Sequence, residues 1–143
     1  MRTIYLDGAW SVRPEPFACI GMDGLAQVAL AQAGWLPAQV PGEIHLDLIR
    51  AGQMPEPSIS TNMPECRWPE TKYWWYRTTF TLEPGFLAYE RQELIFDGLR
   101  FYAQWYVHGQ LAGQACTALA PSILGFTLNL PPGHDALGRG RAV

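Results

Sequence analysis

Hydrophobic positions along the chain follow two periods, and the switch between them marks out the elements. Tyr73 to Leu82 alternates. One face carries Trp74, Tyr76, Thr78, Phe80 and Leu82, and the other carries Tyr73, Trp75, Arg77, Thr79 and Thr81. Period two is the mark of a strand, and the first face is the better core face. The second face is unusually aromatic for one in contact with water. Shorter strands are predicted over Thr3 to Leu6, Trp10 to Arg13 and Trp35 to Val40. Further on come Glu93 to Phe96, with Leu94 and Phe96 inward, and Phe101 to Val107, with Ala103, Trp105 and Val107 on one face. Leu111 to Cys116 and Ile123 to Leu130 complete the set. Asp7-Gly8 reads as a turn, Pro14 and Pro16 as strand breakers, and His108-Gly109 as a hairpin turn.

Two stretches take the helical period instead. Asp23 to Ala33 starts on a residue suited to cap a helix, and Gly34 follows where a terminating glycine belongs. After the turn at Pro41-Gly42, Glu43 to Ala51 places Ile44, Leu48 and Ile49 on one face, with His45 beside them. Glu43 and Arg50 suit the two ends of the helix dipole, and Gly52 closes the helix. A loop from Gln53 to Lys72 carries Pro55, Pro57, Pro64 and Pro69. A loop this long is either functional or packed as a lid on the core. The tail from Pro131 to Val143 is expected to be poorly ordered. Many short strands and little helix predict an all-β fold, an antiparallel β-sandwich with one or two short helices. Residues 1–143 are expected to form one domain.

Composition narrows the function classes. Hydrophobic residues make up 48% and charged residues 16% of the 143, which is globular. A net charge of −3 with scattered basic residues gives no patch for phosphates, so nucleic acid is not an expected partner. No apolar run approaches the length of a membrane span, and the N-terminus has no signal core. A cytoplasmic location and no membrane contact are the expectations. Cys19, Cys66 and Cys116 show no metal spacing and are expected to be free thiols, with no metal and no cofactor. Aromatics reach 13%, with 6 Trp. They fit either an aromatic β core or a surface that stacks on sugars or docks a domain.

No catalytic constellation emerges. His45 lies between Glu43 and Asp47, but alternate helical positions do not face one another, so no metal pair or relay is expected. Glu65 and Glu70 could hydrolyse a glycoside only if they converged at about 5 Å or about 6.5–9.5 Å. Nothing in a Pro-broken loop enforces that. The candidate substrate-binding set is Arg67, Trp68, Glu70, Tyr73 and Trp75, with the aromatics stacking and the charged groups bonding hydroxyls.

The run VPGEIHLDLIRAG, from Val40 to Gly52, with MPEP after it, resembles the N-terminal domain of the β-mannosidases of glycoside hydrolase family 2. That family carries VPG-x-VH-x-DL, a glycine, a PxP loop, an asparagine-glutamate pair, W-x-E, and W-x-Y-x-x-x-F. Asn62, Arg67-Trp68-Pro69-Glu70, and Trp74, Tyr76 and Phe80 match in order. Leu94, Phe96, Gly98 and Leu99 resemble its L-x-F-x-GL, and Ala103 and Gly109 its hairpin. Met63, Pro69, Arg100, Trp105 and His108 depart from the pattern, and Gly21 to Gly34 is longer than usual. The resemblance implies a galactose-binding-like jelly roll that packs on a catalytic (β/α)8 barrel. In that family both catalytic glutamates lie on the barrel, so the chain is expected to be a non-catalytic fragment, incomplete at its C-terminus. The alternatives are a free-standing carbohydrate-binding module, and a structural fragment whose aromatic face needs its neighbour.

Overall fold

The computed structural model describes residues 3–16, 32–58, 62–81, 85, 92–96, 102–107, 110–116, 122–126 and 134–141. The helix expected over Asp23 to Ala33 and the hairpin turn at His108-Gly109 lie outside them. The described strands are β1 (Gly8–Pro16), β2 (Leu36–Val40), β3 (Lys72–Phe80), β4 (Gln92–Phe96), β5 (Tyr102–Val107), β6 (Gln110–Cys116), β7 (Ser122–Phe126) and β8 (His134–Arg141). Six form one antiparallel sheet in the order β2-β1-β3-β8-β5-β6, and β4 and β7 pair separately.

The core lies on one face of the large sheet. Directly opposed residues of an antiparallel pair project to the same side. Trp10 opposes Ala38, Val12 opposes Tyr76, and Pro14 opposes Trp74. Val12, Ala38 and Trp74 are buried together with Ile44 and Leu48 of the helix α1 (Ile44–Arg50). At the other end of the same face Trp105 of β5 meets Phe96 of β4, with ring centroids 5.1 Å apart. Helix α1 therefore covers one part of the face, and the β4-β7 pair the other. This is the antiparallel arrangement that the alternation predicted, with Trp74 and Trp105 inward as expected.

Helix α1 forms because Ile44 and Leu48, four apart, both reach the core. Its end is set by Gly52, which takes φ +68 as few other residues can. The Gly52 N–H donates to the Ile49 carbonyl at 3.0 Å and the Gln53 N–H to the Leu48 carbonyl at 2.8 Å. That pair of bonds is the Schellman cap. The turn before α1 brings the position of a Gly42 Cβ within 2.1 Å of the Gln39 carbonyl oxygen, so only glycine fits.

Three expectations give way. Residues 3–7 are not strand. Pro14 and Pro16 do not break β1, which runs on beside β3 to Pro16↔Lys72. The last β2 partner is Val12↔Leu36, so beyond Val12 β1 is an edge, where a missing N–H costs no ladder bond. The tail was expected to be loose. Instead it supplies β8, between β3 and β5 in the middle of the sheet. Gly138 opposes both Tyr76 and Trp105, and Gly140 opposes both Trp74 and Ala103. Glycine weakens a strand in isolation, but here Gly138 stands between two large aromatic residues and Gly140 opposite one. The tail's pattern hides the strand because its pairing, rather than its own hydrophobicity, holds it.

Candidate functional site

The lid over the core is built from the Pro-rich loop. Its second half contains two single 3-10 turns, Pro64–Cys66 and Trp68–Thr71. The Cys66 thiol is buried and free, and donates to the Pro55 carbonyl at 3.4 Å. The Asn62 side-chain amide donates to the Glu56 carbonyl at 3.1 Å, and the Thr71 hydroxyl to the Trp68 carbonyl at 2.8 Å. The Trp74 indole N–H donates to the Pro69 carbonyl at 3.0 Å. Trp68 packs at 5.7 Å on Trp74. The loop is thus fastened to the first tryptophan of β3 from above.

The five candidate residues do not share a surface. Trp68 is half-buried on the core side. Arg67 has 75% of its side chain exposed, and its guanidinium lies 3.4 Å from the Glu70 carboxylate. Tyr73 and Trp75 lie on the opposite face of the sheet, alternating with Trp74. Tyr73 is half-buried. Trp75, expected to face outward, is 1% exposed. The chain itself accounts for this. Trp35 packs against Trp75 and Tyr106, and Arg77 stacks on Trp35 at 4.1 Å. Tyr106 sits 5.7 Å from Trp75, and the Trp75 indole N–H donates to the buried Glu15 carboxylate. A sugar ring cannot stack on Trp75 without displacing these neighbours. Strand alternation identified the two faces but could not show that residues before β2 fold back over the outer one.

Glu65 is exposed at the surface, and Glu70 is bound to Arg67. His45 is fixed differently from the expectation. Glu43 precedes the helix in extended conformation, so its carboxylate reaches the His45 Nδ1 at 3.4 Å.

Asp47 is the residue the sequence reading passed over. It is 2% exposed, on the same face of α1 as Ile44 and Leu48. Its Oδ1 accepts from the Gln39 backbone N–H at 3.2 Å and from Arg50 at 3.1 Å, which ties α1 to β2. Among the described residues Oδ2 has no partner. Burial pushes the Asp47 carboxyl above its ordinary value, against the pull of the Gln39 N–H and Arg50. Burial likewise pushes the Tyr76 phenol up, helped by Asp47 and Glu43. Its position three residues after Ile44 and one before Leu48 was the available signal. Among the described residues no group of His, Cys, Asp and Glu could hold a metal.

Comparison with known proteins places this arrangement. β-Mannosidase B of Aspergillus terreus is 36% identical over 78 residues, 54% of this chain and 9% of that protein. β-Mannosidase A of Aspergillus aculeatus is 37% identical over 78 residues, 54% of this chain and 8% of that protein. The chain therefore spans about a tenth of the length of these relatives. The crystal structure of a β-D-mannosidase from Dictyoglomus thermophilum superposes with a TM-score of 0.80 at 27% identity, over 97% of this chain and 15% of that one. A β-glucuronidase from Ruminococcus gnavus shares the fold alone, with a TM-score of 0.69 at 17% identity over 99% of this chain and 22% of that one. The model of the glycosyl hydrolase 2 galactose-binding domain-like family matches residues 22–121, most of the chain, and the chain belongs to that family.

Proposed function

We propose that the chain serves as a non-catalytic accessory domain of a β-mannosidase-like exoglycosidase, whose reaction on terminal β-mannosides runs on a separate catalytic barrel. The observation that carries this reading is the likeness to two β-mannosidases over 78 residues that make up under a tenth of each. The setting of Glu65 and Glu70 supports it, since Glu65 is exposed and Glu70 lies against Arg67. Residues 1–143 act as one sandwich unit in this reading. Of the substrate-binding candidates, Arg67, Trp68 and Glu70 remain on the lid and Tyr73 half-covered on the outer face. We place the contact with the barrel at the lid, where Arg67 reaches into solvent and Met63 is exposed. None of the described helices is long and apolar enough to cross a membrane. The free thiol of Cys66 supports a reducing, cytoplasmic setting.

The test is an aryl β-mannoside assay on the purified chain, alone and mixed with the catalytic portion of a β-mannosidase that lacks its own first domain. The expected result is no turnover alone and increased turnover in the mixture, reduced by Arg67→Glu. Turnover by the chain alone that disappears on Glu65→Gln or Glu70→Gln overturns the reading.

A further inference from the structure

One edge of the large sheet offers no free backbone donor. Among the described strands β2 pairs only with β1, so its other side is the end of the sheet. The Gln39 N–H donates to Asp47 Oδ1 at 3.2 Å and so points away from β1. In an antiparallel ladder, successive residues of a strand turn their backbone groups to opposite sides. Pro37 therefore shares the outward side with Gln39, while Leu36, Ala38 and Val40 face their β1 partners Val12, Trp10 and Gly8. Carried along β1, the same alternation turns Pro14 and Pro16 to the side that β2 leaves open beyond Val12. Four outward backbone nitrogens thus follow one another along this edge. Pro14, Pro16 and Pro37 carry no hydrogen on theirs, and the fourth, on Gln39, is taken by Asp47.

An edge strand is a template for another chain unless something blocks it. Pro37 and Gln39 are exposed, so this edge meets solvent. An arriving strand needs donors and acceptors in alternation, and here it would find carbonyls alone. Its own carbonyls would be buried without partners, which opposes pairing. Asp47 completes the block because of where α1 sits. Ile44 and Leu48 anchor the helix in the core, and Asp47, on the same face and 2% exposed, is carried against β2. Arg50 holds the same carboxylate oxygen at 3.1 Å. That oxygen stands in for the carbonyl that a further strand would offer to Gln39. The prolines are particular to this edge, since β6 at the other end of the sheet has none in Gln110–Cys116.

We propose that Pro14, Pro16, Pro37 and Asp47 together close the β1-β2 edge to strand addition, with Asp47 acting as a surrogate for the next strand. The partner excluded is the same edge of a second copy of this chain, which would otherwise pair antiparallel across a twofold axis. Asp47 thus has a role beyond fastening α1 to β2: it keeps the last free donor of the edge from a neighbouring molecule. The inference uses β1, β2 and α1 alone, so its failure leaves the accessory-domain reading standing.

The test is sedimentation velocity of the purified chain over a concentration series, joined to amide hydrogen exchange of the 15N-labelled protein. Pro14→Val with Pro37→Val restores two donors and should tighten self-association relative to the wild-type chain. Adding Asp47→Ala should tighten it further, to at least about tenfold over wild type. Adding Asp47→Asn instead keeps an acceptor oxygen and should give no gain over the proline pair. In the associated form, slowed exchange at positions 14, 37 and 39 should map the contact to this edge. Trp105→Phe, a core change at the other end of the sheet, should leave association unchanged, which separates edge pairing from general instability. If the triple variant does not fold, the proline pair alone decides. Overturning results are unchanged association in the proline pair, equal effects of Asp47→Ala and Asp47→Asn, tightening by Trp105→Phe, or slowed exchange confined to residues away from this edge.

Discussion

Gly113→Ala tests the packing of β6 on β5. A Cβ at Gly113 would stand 2.6 Å from Cζ2, 2.8 Å from Cε2 and 2.9 Å from Nε1 of Trp105. The obstacle is the body of an indole rather than the end of a flexible chain. Trp105 is 2% exposed and has Phe96 5.1 Å away, so it cannot swing aside freely. Overpacking of this kind costs about 1–3 kcal/mol. The register already shifts at Trp105/Tyr106 and β6 is paired on one side by β5, so some relaxation is available and the lower half of that range applies. For a domain near this size each kcal/mol lowers Tm by about 2–8 °C. Equilibrium urea unfolding of Gly113→Ala, Trp105→Phe and the double variant forms a cycle. The smaller ring removes the contact, so the methyl should cost under half as much in the Trp105→Phe background. Trp105→Phe also deletes an indole N–H that is buried without a partner among the described residues, which offsets part of its own packing loss. An identical cost of Gly113→Ala in both backgrounds, or none in either, refutes the packing account.

Three further outcomes follow from the described contacts. Asp47 has a folded-state pKa raised by burial, so between its ordinary value and that raised value the folded chain holds more protons than the unfolded one. Stability from this group therefore falls as pH rises through that window. Asp47→Asn removes this contribution, so the wild-type-minus-variant difference in unfolding free energy should fall as pH rises above the ordinary value of 3.8, and a difference that does not change with pH counts against it. Trp75→Ala should cost about 3–5 kcal/mol in chemical denaturation, the figure for a core aromatic. A loss under about 0.5 kcal/mol would mark Trp75 as the surface residue that alternation alone suggested. Gly42→Ala should destabilise by about 1–3 kcal/mol or more, because the Gln39 carbonyl oxygen would lie 2.1 Å from the new methyl. Thermal melts at fixed pH read this directly, and an unchanged Tm contradicts the turn geometry.

The split of the candidate site shows where sequence reading runs out. Arg67, Trp68, Glu70, Tyr73 and Trp75 are neighbours in the chain, and proximity along the chain suggested one surface. In space Trp68 turns toward Trp74 and the lid, whereas Trp75 turns toward Tyr106 and Trp35. Their grouping failed because an extended strand sends successive side chains to opposite faces. Asp47 was missed for a related reason. A carboxylate in a helix is read as solvated until the fold shows Gln39 and Arg50 around it.

The sequence by itself determined the local elements whose cause is local. The period of β3, the inward set Ala103, Trp105 and Val107, the helix before Gly52 and the turn at Pro41-Gly42 all follow from side-chain spacing and backbone freedom. Its ordered motifs also determined the family. Only the tertiary structure decided the features that depend on a partner strand. It joined Gly8–Pro16 into one strand despite two prolines, because an edge needs no N–H there. It put His134–Arg141 in the middle of the sheet, where glycines stand opposite large residues. It covered Trp75 with Trp35 and Tyr106. Periodicity reports which way a side chain points. What stands on that side depends on residues far along the chain, and pairing and burial between them are settled only when the whole sheet forms.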